Sequence, residues 1–174
     1  GTFAEDTAEH YQFTREAQDN YAIESLTRAK KAVEDGSFDD EVVPVTVKTR
    51  KGETMVTSDE QPFNANIEKI PQLKPAFRKD GTVTPANSSS ISDGAAALVL
   101  MRRSEAEKRG LTPKALIHAH STHSQEPNWF TTAPIGAVRK VLEKTGWSKE
   151  EVDLFEVNEA FAVVAMAAMR ALDI

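Results

Sequence analysis

Cysteine is missing from all 174 residues. That absence excludes disulfides, and it excludes a thiolate nucleophile or a cysteine-ligated metal carried by this chain. Basic charge is also scarce. Against 27 Asp and Glu stand 21 Lys and Arg, a net charge of −6, so a role on nucleic acid or an anionic membrane has no electrostatic support. No apolar run reaches the roughly 18 residues of a spanning helix, and the start shows no export signal. The expectation is a soluble, intracellular chain. Internal repeats and low-complexity tracts are absent too. What is present is 40% apolar and 28% charged, an ordinary globular balance. The length suits one medium domain, or one domain plus part of another.

The N-terminal half reads as helices and a hairpin. A short helix is expected over residues 2–10. Thr14 reads as the N-cap of a longer one over about 15–35, with Glu16 and Asp19 near its start and Gly36 as its stop. Residues 41–60 alternate like a hairpin turning at Lys51-Gly52, with Pro44 marking an edge. Residues 61–75 read as an ordered loop, since Ile67, Ile70, Leu73 and Phe77 are spaced to pack. After Gly81 the pattern changes. GAAALVLM (94–101), ALIHAHSTH (115–123) and VDLFEVN (152–158) read as strands. They alternate with helices at 104–110, 133–146 and 159–172, the rhythm of an α/β layered unit. The organisation changes between residues 80 and 93.

Three clusters are candidates for chemistry. His118, His120 and His123 place two imidazoles on one face of a strand, as a metal site would. Zinc wants three or four supported ligands, however, and incidental histidines near a loop are the plainer reading. Asn87-Ser88-Ser89-Ser90-Ile91-Ser92-Asp93-Gly94 is rich in turn formers. The same run could admit a ligand close to the backbone and offer it hydroxyls. No Gly-Lys-Ser/Thr follows, so it is not a phosphate-binding Walker loop. Asn158 stands where a strand should end and a helix begin. There it can cap the helix and also hold a carboxamide at the C-terminal edge of a sheet, where α/β proteins often place ligands. Glu159 suits the first turn of a helix electrostatically.

GTVTPANSSSISDGAAALVLM, TTAPIGAVRKVLEKTGW and EVNEAFA, in this order and spacing, resemble the thiolase family. The opening GTFAEDTAEHYQFTREAQDNYAIES is similar to the first helices of the thiolase loop domain. The resemblance covers essentially the whole chain and is nearest to the biosynthetic type, the acetyl-CoA acetyltransferases. It implies a thiolase-like layered α/β/α/β/α fold, here incomplete. Residues 1–92 would supply the loop-domain portion with its CoA-binding loop, and 93–174 the first half of the C-terminal domain. It also implies ping-pong chemistry. A cysteine takes the acyl group from CoA, a second cysteine acts as acid and base, a Gly-His-Pro histidine activates the nucleophile, and the Asn of the NEAF motif holds a water at the oxyanion. On this resemblance Asn158 is the catalytic amide. Ala160 and Phe161 line the acyl pocket, with Phe130 on its other wall, where many biosynthetic thiolases have Met. Ser89 meets the pantetheine arm of CoA, with Ser88, Pro85 and Phe77 along the same tunnel.

Both cysteines and the Gly-His-Pro motif are absent, as is the substrate-contacting His-Met pair of the family. The expectation is therefore a middle portion of a thiolase, inactive alone. The apolar run AFAVVAMAAMRAL points the same way, because a helix apolar on every side needs cover on both faces and three strands cannot give it. No cofactor is expected beyond the CoA thioester as substrate, and no metal. Expected partners are acetyl-CoA or acetoacetyl-CoA, the remaining segments of a thiolase chain, and a homo-oligomer, dimer or tetramer, when complete. Neither nucleic acid nor membrane is expected. The cytoplasm is the expected compartment, with mitochondrion and peroxisome as the family's alternatives. Competing readings are a 3-ketoacyl-CoA thiolase of fatty-acid degradation, a non-catalytic CoA-binding module and a histidine metal site.

Overall fold

The computed structural model describes every residue, Gly1–Ile174, and the chain divides into two compact units, Gly1–Ser88 and Ser89–Ile174. In the first unit, α1 (Thr2–His10) leads to α2 (Arg15–Glu34). Thr14 starts α2 as expected, its hydroxyl accepting the Ala17 N–H at 3.1 Å. Ala4, Ala8, Phe13, Ile70 and Val83 form a small apolar core. That core is unusual in company: Glu5, Thr7, Gln18, Asp19, Thr84 and Asn87 are buried with it.

Strands β1 (Val45–Thr49) and β2 (Gly52–Val56) make the expected hairpin. Thr49 pairs with Gly52, so the turn residues are Arg50 and Lys51, one position earlier than the sequence indicated. Every residue of both strands is exposed, so their own ladder is what holds them. The 61–75 segment is indeed ordered, as the short helix α3 (Gln61–Asn64) and a 3₁₀ turn over Ile67–Gln72. Of its four apolar residues expected to pack, Ile70 is buried and Leu73 half-buried, whereas Ile67 and Phe77 are exposed.

The second unit contains α4 (Arg103–Lys108), a 3₁₀ turn over Pro127–Thr132, α5 (Ala133–Thr145) and α6 (Ala162–Leu172). Gly146 ends α5 in the left-handed region at φ 72°, its N–H returning to the Leu142 carbonyl. The three expected strands are not hydrogen-bonded strands. The β1–β2 hairpin is the one sheet formed, and residues 94–101, 115–123 and 152–158 have no ladder partner. Their apolar side chains stand in solvent, with Leu98 at 85% and Leu154 at 80% exposure. Sequence pattern marks a segment fit for a sheet, but a strand exists only when a neighbour accepts and donates its backbone bonds.

Helix α6 corrects the sequence reading in the opposite direction. It is covered within its own unit, where α5 and the 127–132 turn pack on it. Ala162, Val163, Val164, Ala165, Ala167, Ala168 and Leu172 are buried, and Met169 and Arg170 face out. The alanines explain this, because a helix with so little side-chain bulk lets its neighbours approach closely. Each buried valine adds about 1.5–3 kcal/mol of apolar transfer. No helix is long and apolar enough to cross a membrane.

Candidate active site

In the second unit the candidate residues gather at the head of α6. The helix begins at Ala162 behind an extended Phe161 (φ −145°, ψ 153°), so Phe161 and not Asn158 occupies the capping position. Asn158 lies four residues before the helix starts, exposed, with its carbonyl accepting the Ala160 N–H at 3.0 Å. A side chain placed so far from the first turn cannot reach the free N–H groups there, and its carboxamide is left to solvent. The Ala160 carbonyl in turn accepts the Ser89 N–H at 3.1 Å. This bond joins the Ser-rich loop to the Asn158–Phe161 segment across 71 residues of chain. Ala160 and Phe161 are both half-buried.

Phe130 sits on the 3₁₀ turn that packs on α6, about half exposed at 46%. Gln125 anchors this turn: its side-chain amide donates to the Trp129 carbonyl, and to the Thr132 hydroxyl at 2.7 Å. His123 lies 3.0 Å from the Gln125 side-chain oxygen, and its ring fills the space where Gly136 has no Cβ. His118 packs beside Trp147, ring centroids 5.4 Å apart. His118 and His123 thus take separate surroundings, and no group of three or more metal-ligating side chains assembles.

In the first unit, Pro85 opens a 3₁₀ turn (Pro85–Asn87) capped by Thr84, whose N–H reaches the Asn87 side-chain oxygen at 2.8 Å. The Ser88 hydroxyl donates to the Thr84 carbonyl at 2.7 Å, so it is already engaged. Phe77 covers Gly1, where any Cβ would overlap its ring.

What the sequence did not reveal is the support beneath this loop. The two oxygens of buried Glu5 accept the N–H groups of Thr82 (2.8 Å) and Val83 (3.0 Å). Gln18 donates to the Phe13 and Thr14 carbonyls and to the Thr82 hydroxyl at 2.9 Å. Asp19, bonded to Arg15 at 2.7 Å, accepts from the Asn87 amide at 3.3 Å. Arg15 also donates to the Ile70 and Leu73 carbonyls. In sequence, Asp19 looked like an acid favouring a helix start, and nothing distinguished Glu5 from a surface glutamate. The one available signal was Gly81-Thr82, a glycine beside a polar residue just where the chain organisation changes.

Comparison with known proteins places this arrangement. Residues 1–104 match the family model for the thiolase N-terminal domain, and residues 111–174 that for the thiolase C-terminal domain. The chain is 47% identical over 171 residues to an acetyl-CoA acetyltransferase of Paracoccus denitrificans, covering 98% of this chain and 44% of that protein. It is 49% identical over 175 residues to the cytosolic acetyl-CoA acetyltransferase of Mus musculus, covering 99% and 44% respectively. The solved structure of the Bacillus anthracis acetyl-CoA acetyltransferase superposes with a TM-score of 0.93 at 46% identity, over 99% of this chain and 44% of that one. Human mitochondrial 3-ketoacyl-CoA thiolase gives 0.90 at 38% identity, over 99% and 44%. The chain thus spans about 44% of the length of the curated relatives it matches.

Proposed function

Because the chain belongs to the thiolase family, we propose that it forms part of an acetyl-CoA C-acetyltransferase. The reaction is the Claisen condensation of two acetyl-CoA molecules to acetoacetyl-CoA and CoA, or its reversal by thiolysis. The Ser89 N–H to Ala160 carbonyl bond, within the second unit, supports this reading, because it sets Ser89 beside the segment bearing Asn158.

Each half-reaction passes through an oxyanion. A cysteine thiolate adds to the thioester carbonyl of acetyl-CoA, and the C–S bond to CoA breaks to leave an acetyl-cysteine and CoA thiolate. A second acetyl-CoA then loses an α-proton to the thiolate of a second cysteine. Its enolate carbon attacks the acetyl-cysteine carbonyl, breaking the C–S bond and releasing the first cysteine as thiolate. Negative charge rests on a carbonyl oxygen at each step, and a preorganised donor there stabilises the transition state more than the substrate. Asn158 would hold the donating water through its solvent-facing carboxamide. Ala160, Phe161 and Phe130 would bound the acyl pocket, and Ser89, Ser88, Pro85 and Phe77 would follow the pantetheine arm. CoA is substrate here, and no cofactor or metal is invoked. With no cysteine in its sequence, the chain is expected to be inactive by itself, with other thiolase segments as its partners and a homo-oligomer as the complete form. The division into a loop-domain portion (1–92) and the opening of a C-terminal domain (93–174) belongs to the same proposal, as does a cytoplasmic setting.

Thiolysis of acetoacetyl-CoA by the full-length gene product tests the reading. The four-carbon substrate should turn over faster than longer 3-ketoacyl-CoAs, and Asn158→Ala should lower kcat by about 10²–10³-fold while leaving CoA affinity in place. Faster turnover of long chains would favour a 3-ketoacyl-CoA thiolase instead. Absence of any thiolysis, or an unimpaired Asn158→Ala enzyme, would sink the proposal.

A further inference from the structure

The loop from Gly81 to Ser88 is shaped by side chains and not by a backbone ladder. Three successive N–H groups, those of Thr82, Val83 and Thr84, are taken by Glu5, Glu5 and Asn87. We infer that Glu5 of α1 is a positioning residue for CoA binding: its buried carboxylate sets the conformation of residues 81–88, and so the presentation of Pro85 and Ser88. This rests on the proposed role of that loop toward CoA.

Only a carboxylate fits the position. Both of its oxygens accept backbone N–H groups, and one also lies 3.2 Å from the Thr82 hydroxyl. An amide there would turn one oxygen into a donor facing another donor. The hydroxyl's direction is fixed as well. The Gln18 amide nitrogen faces the Phe13 and Thr14 carbonyls, so it must be a donor, and it donates to Thr82. Thr82 therefore spends its own hydrogen on Glu5, giving a one-way chain from α2 through the loop to α1.

Two further contacts tie Glu5 to the candidate residues. Gly81 passes so close that any Cβ would overlap the Glu5 carboxylate and displace it from its present position. Val83, whose N–H goes to Glu5, gives its carbonyl to the Ala76 N–H at 2.9 Å, one residue from Phe77. Downstream, Asn87 bonds the Thr82 carbonyl at 3.1 Å as well as Asp19, which fixes the turn that carries Pro85. Glu5 thus lies under both the Phe77 and the Pro85–Ser88 segments without lining either.

Glu5→Gln in the full-length gene product tests this, with Thr82→Val as a milder variant that keeps the backbone and Arg78→Ala as a control on an exposed α1 contact. CoA affinity by calorimetry, KM and kcat for thiolysis, and amide hydrogen exchange are read together. Glu5→Gln should weaken CoA binding at least tenfold and raise KM. Its kcat at saturating CoA should stay within about twofold, and exchange at Val83 and Thr84, whose N–H groups are held by Glu5 and Asn87, should accelerate. Thr82→Val should move each readout the same way by several-fold, and Arg78→Ala should move none. Wild-type CoA affinity in a folded Glu5→Gln would overturn the inference and leave Glu5 a purely structural residue. If the wild type itself binds no CoA, the loop's proposed function fails. Exchange at Thr84, whose N–H is held by Asn87 and not by Glu5 itself, then decides alone, with acceleration supporting the positioning role and unchanged exchange refuting it.

Discussion

At the residue scale, carboxylates in this chain divide by what surrounds them. Glu5 and Asp19 are buried and spend their oxygens on backbone, hydroxyl, amide and guanidinium donors, whereas Asp35, at the end of α2, is exposed. The hydrogen bond from Lys31, followed by those from Ser37, holds the Asp35 carboxyl down from 3.8 to about 2. A carboxylate whose pKa falls on folding stabilises the fold above its unfolded value near 3.8. That contribution drains away as pH drops toward about 2. An NMR titration should therefore find the Asp35 carboxyl midpoint well below those of ordinary exposed aspartates, and Lys31→Ala should move it up. A midpoint near 3.8 in the unaltered protein would show that these bonds do not persist in solution. Among the candidate site residues, Asn158 was singled out by its resemblance to the NEAF motif of the thiolases. Glu5 was not, because a glutamate in a helix is ordinary and only its partners make it exceptional.

At the element scale, two helix ends were read correctly from local signals. Thr14 names the start of α2 and Gly146 the end of α5, since a cap needs only residues within one turn. Replacing Thr14 by Ala should cost about 1 kcal/mol. That should appear as a melting temperature lower by a few degrees, with CD amplitude otherwise kept; an unchanged melt would show that the 3.1 Å bond to Ala17 carries no net stability. The start of α6 was misread for the converse reason. Asn158-Glu159 is a good local start signal, yet Phe161 stays extended and the helix waits until Ala162. Ser89, 71 residues earlier, holds the Ala160 carbonyl instead, and long-range bonding overrides local preference. The segments 94–101, 115–123 and 152–158 fail as strands because strand formation is a property of pairs, and pattern alone cannot supply the partner.

At the scale of the whole molecule, the two units differ in how their apolar residues are spent. The second buries α6 thoroughly but leaves Leu98, Val99, Ile117 and Leu154 between 70% and 87% exposed. Large apolar side chains this exposed favour association with other apolar surface. The 174-residue chain alone should enhance the fluorescence of an apolar-surface dye such as ANS and self-associate with concentration in light scattering. A cooperative melt with no dye binding would instead favour a self-sufficient CoA-binding module. By itself the sequence determined the chemistry withheld and the family: no thiol, no basic surface, the NEAF and Ser-rich motifs in order, and the capped helices. These depend on composition and on neighbours within a turn or two. Tertiary structure alone decided that α6 is covered while three apolar segments are not, that Asn158 stands clear of the helix, and that Glu5 lies beneath the loop. Each of those depends on groups tens of residues apart meeting with matched donors, acceptors and volume, which the order of residues along the chain does not display.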